Sequence, residues 1–343
     1  MPEFGFVLVH FLKRKYHRAK TGVDRSRAGA RGGTRGTRLF VGATVLLALL
    51  GAFSNLAAQT THARITVLSN APARIRIEGE SRAPTRDFSF LQAYAGAQGL
   101  GQRIENFTAA DGAGAPVKIT RLAPGEYVAE PGAIKWTYEV DLRPPAVPDD
   151  APYVSWLTPD RGLLLLKDLL PLPVTAEPDP GTADVDLVVT TPTGWRIATA
   201  ETAASPGRYG VRDWPSAVFF ISPDHRQTNR RVEQADLTVI ASGAWAFTDQ
   251  DVAEMASNVL RYHQRAIKDT RPFAPMLIVA PYPTPQAADR WSAETRGRTV
   301  VLLSGRIPAR LPALGTLSVS LTHELFHLWV PNRVNLAGDY AWF

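Results

Sequence analysis

Between residue 64 and about residue 228, apolar and polar positions alternate in short runs. Examples are Arg64-Ile65-Thr66-Val67-Leu68, Ala73-Arg74-Ile75-Arg76-Ile77-Glu78 and Val117-Lys118-Ile119-Thr120. A period of two sends successive side chains to opposite faces, which predicts half-buried strands. Further strands are predicted at 134–140, 185–189 and 217–221. Turn-rich stretches such as Arg143-Pro144-Pro145 and Pro178-Asp179-Pro180-Gly181 separate them. Short strands at this spacing predict an antiparallel β-sandwich, with Trp136 and Trp195 as core or edge aromatics.

The period changes near Arg231. Residues 235–240 read as a strand, and Thr248-Asp249-Gln250-Asp251 has the form of a capping box. The helix it opens is predicted to run to about Ile267, with Val252, Met255, Val259, Tyr262, Ala266 and Ile267 as its apolar stripe. His263 lies on this helix with no histidine at i+4 and is read as structural. Strands follow at 276–280 and 299–303, joined by a proline-rich loop. A last helix is predicted after Leu314-Gly315, with Leu317, Leu321, Leu325 and Leu328 facing the core and Pro331 ending it. The fold class expected is α+β.

That last helix carries His323-Glu324-Leu325-Phe326-His327. Histidines at i and i+4 share one helix face, so both imidazoles can reach one Zn²⁺. Glu324 is placed to activate a zinc-bound water as general base. The competing reading is a buried helix with two satisfied core histidines. Zinc sites of the thermolysin type take a third ligand from a later glutamate, about 18 or 19 residues past the second histidine. That position falls just beyond Phe343, so the sequence is expected to belong to a longer chain, and residues 1–343 by themselves are expected to bind zinc weakly and to be inactive.

Charge and composition narrow the function further. The chain carries a net +6, but ten Lys and Arg against two acids lie in the first 38 residues. The other 305 residues hold 28 basic and 30 acidic side chains. A nucleic-acid partner is excluded by that distribution. The basic stretch runs into the apolar segment 39–53, which is short for a membrane span and suits a signal-peptide core. Residues 1–63 are therefore expected to be a basic region plus a signal peptide, with Ala57-Ala58 near the cleavage point, or an uncleaved membrane anchor. The protein is expected to be exported to the periplasm or the cell exterior. The absence of cysteine excludes thiolate zinc ligands and cysteine nucleophiles.

The motif and its surroundings resemble the glycyl aminopeptidase family, relatives of the larger thermolysin-type zinc aminopeptidases. The resemblance lies in His323 to Trp329 with Asn332-Arg333 following, in Trp342-Phe343, and in Pro192-Thr193-Gly194-Trp195. It covers about residues 64–343. It implies a β-sandwich domain at 64–230, followed at 231–343 by the N-terminal part of a thermolysin-like zincin domain. It also implies that His323 and His327 bind zinc, that Glu324 is the base, and that a peptide or protein is the substrate. The family's amine-recognising strand segment corresponds to Ser292-Ala293-Glu294-Thr295-Arg296, of which only Glu294 matches. Glu294 is the expected substrate-binding residue. Two other readings remain open on sequence: an endopeptidase without amine recognition, and a non-catalytic, membrane-anchored binding module on the same scaffold.

Overall fold

The computed structural model describes residues 61–172 and 184–330. The N-terminal basic and apolar segments, the possible cleavage point and the stretch from Pro331 to Phe343 lie outside these residues. Among the described residues no helix is long and apolar enough to cross a membrane.

The first part of the chain forms two sheets and a small hairpin. Its strands are β1 (Thr61–Asn70), β2 (Ala73–Ser89), β3 (Ala93–Tyr94), β4 (Ala97–Gln98), β5 (Ile104–Ala110), β6 (Lys118–Ala123) and β7 (Glu126–Asp141). There follow β8 (Trp156–Leu157), β9 (Gly162–Leu165), the single turn α1 (Leu166–Leu169), β10 (Val185–Thr190), β11 (Arg196–Thr199), β12 (Thr202–Ser205), β13 (Arg208–Val211) and β14 (Val218–Ser222). One sheet has eight strands in the order β12-β13-β10-β1-β2-β7-β5, with β6 also on β7. The other has four, β11-β14-β9-β8. The expectation of an antiparallel arrangement is corrected at one place: β1 pairs with β10 in parallel, so the large sheet is mixed. Residues 63–77 carry the alternation that a half-buried strand needs, and Ala63, Ile65, Ile75 and Ile77 are all buried.

The second part adds β15 (Arg226–Val232), β16 (Ala235–Ala241), α2 (Asp249–Ile267), β17 (Met276–Pro281), β18 (Trp291–Arg296), β19 (Thr299–Ser304) and α3 (Arg310–Glu324). Its five strands run β15-β16-β17-β19-β18, with β16, β17 and β19 parallel and both edge strands antiparallel. The β18 edge strand falls in the stretch expected to be a proline-rich loop. Short strands with one small or polar residue in two leave little periodicity to read.

Three apolar cores stack these elements. Ile65, Tyr138 and Leu187 of the eight-stranded sheet share a core with Leu164, Phe219 and Ile221 of the four-stranded one. Leu163, Leu165, Val218 and Phe220 point the other way and pack with Ile240, Ile278, Val301 and Leu303 of the five-stranded sheet. On that sheet's far face Val239, Leu277, Val279, Val300 and Leu302 pack under the two helices. Strands β9 and β14 are therefore covered on both faces, and their unbroken apolar sequences follow from that.

The capping box on α2 is present as expected. Thr248 Oγ1 accepts from the Asp251 backbone, and the Asp251 carboxylate accepts from Thr248 N at 2.8 Å. The buried face of α2 is rotated from the expected stripe. Val252, Ala253, Ala256, Leu260 and His263 are buried, whereas Tyr262 is exposed. Small residues let the helix lie close to its neighbours, and hydrophobicity alone gave Tyr262 too much weight. Helix α3 begins before Leu314-Gly315, not after it. Pro312 fits in the first turn, where no backbone partner is due, and Gly315 is carried inside the helix.

Strand β2 carries one constraint that a substitution can test. Gly79 lies opposite Trp136 of β7, and a Cβ at Gly79 would come within 2.3 Å of the indole. Replacing glycine by alanine usually helps a strand through backbone entropy. Here overpacking reverses the sign, and Gly79→Ala should cost about 1–3 kcal/mol, read as a lowered urea midpoint.

Candidate active site

The histidine motif is placed by the leucine stripe of α3. Leu317, Leu321, Leu325 and Leu328 are buried against the five-stranded sheet, which turns the intervening positions outward. The α-helix ends at Glu324, and Leu325–Leu328 tighten into a 3₁₀ turn. His263 of α2 supports this end: its Nε2 lies 3.0 Å from Thr322 O, and its ring packs on Phe326 and Trp329. The structural reading of His263 agrees with these contacts.

His323 and His327 converge. Their Nε2 atoms lie 3.2 Å apart. Two nitrogens bound to one tetrahedral Zn²⁺ at the usual 2.0–2.1 Å are separated by about 3.3 Å, so the pair fits that ion. The second ring nitrogen of His327 lies 2.8 Å from Val330 O. A carbonyl only accepts, so Nδ1 carries the proton and Nε2 keeps its lone pair for a ligand. Among the described residues, no group of three His, Asp or Glu side chains is arranged to hold a metal ion.

Glu324 turns back towards β18, with only 12% of its side chain exposed against 70% for His323. Thr295 Oγ1 lies 2.9 Å from both the carbonyl oxygen and Oε2 of Glu324. That hydroxyl fixes the carboxylate against the helix end. Its neighbour Glu294 faces the other side of the strand. There it accepts a 2.8 Å hydrogen bond from the Tyr94 hydroxyl and lies 4.0 Å from Arg296 Nε. Burial pushes the Glu294 carboxyl up, and the charge of Glu324 adds to the rise. The Tyr94 bond, Arg296 and His327 oppose it. Tyr94 itself is pushed up to about 12, chiefly by burial.

The four sequence-predicted residues thus lie on β18, at the end of α3 and on the 3₁₀ turn that follows it. The structure adds partners from the first part of the chain. Tyr153 feels the charges of both Glu294 and Glu324, though burial is the larger cause of its raised pKa. It packs edge-on to Tyr94, at 6.3 Å between ring centres. Thr295 was legible only as a neighbour of Glu294. Tyr94 and Tyr153 gave no local signal, because they reach the site from about 140 to 200 residues away in sequence.

No protein-family model and no curated protein matches the sequence. Solved structures do match the fold. An aminopeptidase N family protein from Idiomarina loihiensis aligns with a TM-score of 0.64 at 12% identity, over 78% of this chain and 47% of that one. An M1 zinc metallopeptidase from Deinococcus radiodurans aligns at 0.48 with 14% identity, over 81% and 65%. The chain spans less than two thirds of the length of either. At such identities the likeness is one of fold.

The buried carboxyl yields a pH prediction. Its pKa is raised in the folded state, so Glu294 favours folding most below about 4.5 and loses that contribution as pH climbs through the folded value. Glu294→Gln removes the loss. The urea midpoint of the variant should gain on that of the wild type between pH 4 and pH 7.5, and a constant difference would contradict the raised pKa.

Proposed function

We propose that the chain carries the zinc-binding helix and the substrate-facing edge strand of an exported zinc metallopeptidase with aminopeptidase-like recognition. The observation that carries this reading is the 3.2 Å approach of the His323 and His327 Nε2 atoms, with His327 Nδ1 held by Val330 O. His323 and His327 would hold the metal. Bound there, zinc would supply Lewis-acid polarisation of a peptide carbonyl.

The remaining roles belong to the chain's own side chains. Glu324, fixed by Thr295, takes the proton of the attacking water and can return it to the leaving amine. Glu294 in its ionised form accepts the α-ammonium of the substrate on Oε2, since Tyr94 already donates to Oε1. A cation there also relieves the repulsion between Glu294 and Glu324. Strand β18 is a sheet edge, so an extended peptide can add to it through main-chain hydrogen bonds. The motif from His323 to Trp329 supports the resemblance to the glycyl aminopeptidase family. Export rests on the basic and apolar N-terminal sequence.

A second reading is a non-catalytic binding module. It is motivated by the segment Ser292-Ala293-Glu294-Thr295-Arg296, in which only Glu294 matches the family's amine-recognising pattern. Metal content separates the two. A chain extended past Phe343 to its third ligand should take up zinc and hydrolyse peptides, and in it His323→Ala or His327→Ala should abolish zinc uptake without loss of folded signal by circular dichroism. An extended wild-type chain that takes up no zinc would favour the module. Glu324→Gln should keep the metal and lower kcat by about 10²–10⁴, the range for a missing general base.

A further inference from the structure

Tyr94 gathers more positive charge than its surroundings neutralise. The Lys167 ammonium and the Arg296 guanidinium each lie 4.5 Å from the centre of its ring. Arg296 donates to Tyr153 O at 3.1 Å, and its buried Nε has no hydrogen-bond partner among the described residues. Lys167 sits on α1 and makes no ion pair or hydrogen bond among them; its one polar contact is the face of Tyr94. The neighbouring Asp168 gives no help. Its carboxylate is taken by Arg103 at 2.8 Å and by the backbone and hydroxyl of Ser155. Among the described residues Glu294 is left as the one carboxylate facing the two cations.

Such an arrangement is costly. An ammonium drawn partly out of water beside a second cation loses hydration and gains repulsion. The Lys167 pKa is lowered by burial first and by Arg296 second. A bound anion would reverse both effects. Position matters as much as charge: the ring that carries the two cations donates its hydroxyl to Glu294. Anything held by Lys167 therefore sits beside whatever Glu294 holds.

We infer that Lys167, with Tyr94 and Arg296 against it, forms a subsite for a carboxylate of the substrate, next to the amine held by Glu294. The inference rests on the amine-binding reading of Glu294. Two carboxylates on a peptide could serve. One is the side chain of an acidic first residue. The other is the terminal carboxylate of a dipeptide. Specificity then arises where the first part of the chain meets the edge strand, and not on the histidine helix.

The test is calorimetric titration of the full chain with two matched pairs of ligands. Glutamic acid α-amide against glutamine α-amide reads the side chain. Glycylglycine against glycylglycinamide reads the chain terminus. The acidic member of at least one pair should bind at least about fivefold tighter, the size of one charge-assisted contact near a surface. Lys167→Gln should bring that pair within about twofold, whereas Lys167→Arg should keep the preference. Lys167 is partly exposed, so neither variant disturbs a core. Preference within the first pair assigns the subsite to acidic first residues, and preference within the second assigns it to dipeptide termini. Equal binding of all four ligands, or a preference that survives Lys167→Gln, overturns the subsite alone. No binding of any ligand overturns amine recognition by Glu294 and the subsite with it.

Discussion

One leucine stripe holds the candidate site together. Leu317, Leu321, Leu325 and Leu328 are each almost wholly buried between α3 and the five-stranded sheet. Burial of a leucine side chain is worth about 1.5–3 kcal/mol, so the four outweigh any polar contact in the neighbourhood. Because the stripe fixes the rotation of the helix about its axis, His323 and His327 must face away from the sheet, and Glu324 must face β18. The histidine convergence and the Thr295 bond to Glu324 both follow from that rotation.

The sheet beneath is held just as firmly from the other side. Strands β16, β17 and β19 send alternate residues into the core shared with β9 and β14. A sheet clamped on both faces has little room to slide, which is what an active site on its rim requires. The edge strand β18 is the exception. Its outer side is unpaired among the described residues, and its residues alternate between the helix and the first part of the chain. Thr295 serves the histidine helix, while Glu294 and Arg296 reach Tyr94. One strand therefore joins two chemically different regions: the paired histidines with Glu324 on one side, and the charged group of Glu294, Arg296 and Tyr94 on the other.

The charged group around Glu294 is set by a balance that no single element supplies. Glu294 is raised by burial and by Glu324, and is eased by the Tyr94 hydroxyl and by Arg296. Lys167 is depressed by burial and by Arg296. Each group is uncomfortable alone, and a substrate bearing both an ammonium and a carboxylate would ease both. In the proposed reading these groups are preorganised for a zwitterionic ligand, with the cost carried by the sheets around them.

The sequence by itself determined the local elements and the chemistry they carry. The capping box at Thr248, the strands at 235–240, 276–280 and 299–303, the leucine stripe and the i, i+4 histidines are all short-range patterns, which hydrophobic period and helix geometry encode directly. The same local logic failed where burial was not one-sided. It misplaced the inward face of α2, hid β18 in a loop, and could not distinguish the parallel β1–β10 pair from an antiparallel one, because alternation fixes which side chains share a face and not which strand lies alongside. Only the tertiary structure brought Tyr94, Tyr153 and Lys167 to Glu294. The reason is physical: a contact between residues as far apart in sequence as Tyr94 and Glu294 is selected by how whole sheets pack, and that packing energy is spread over dozens of apolar side chains, none of which marks the polar pair it brings together.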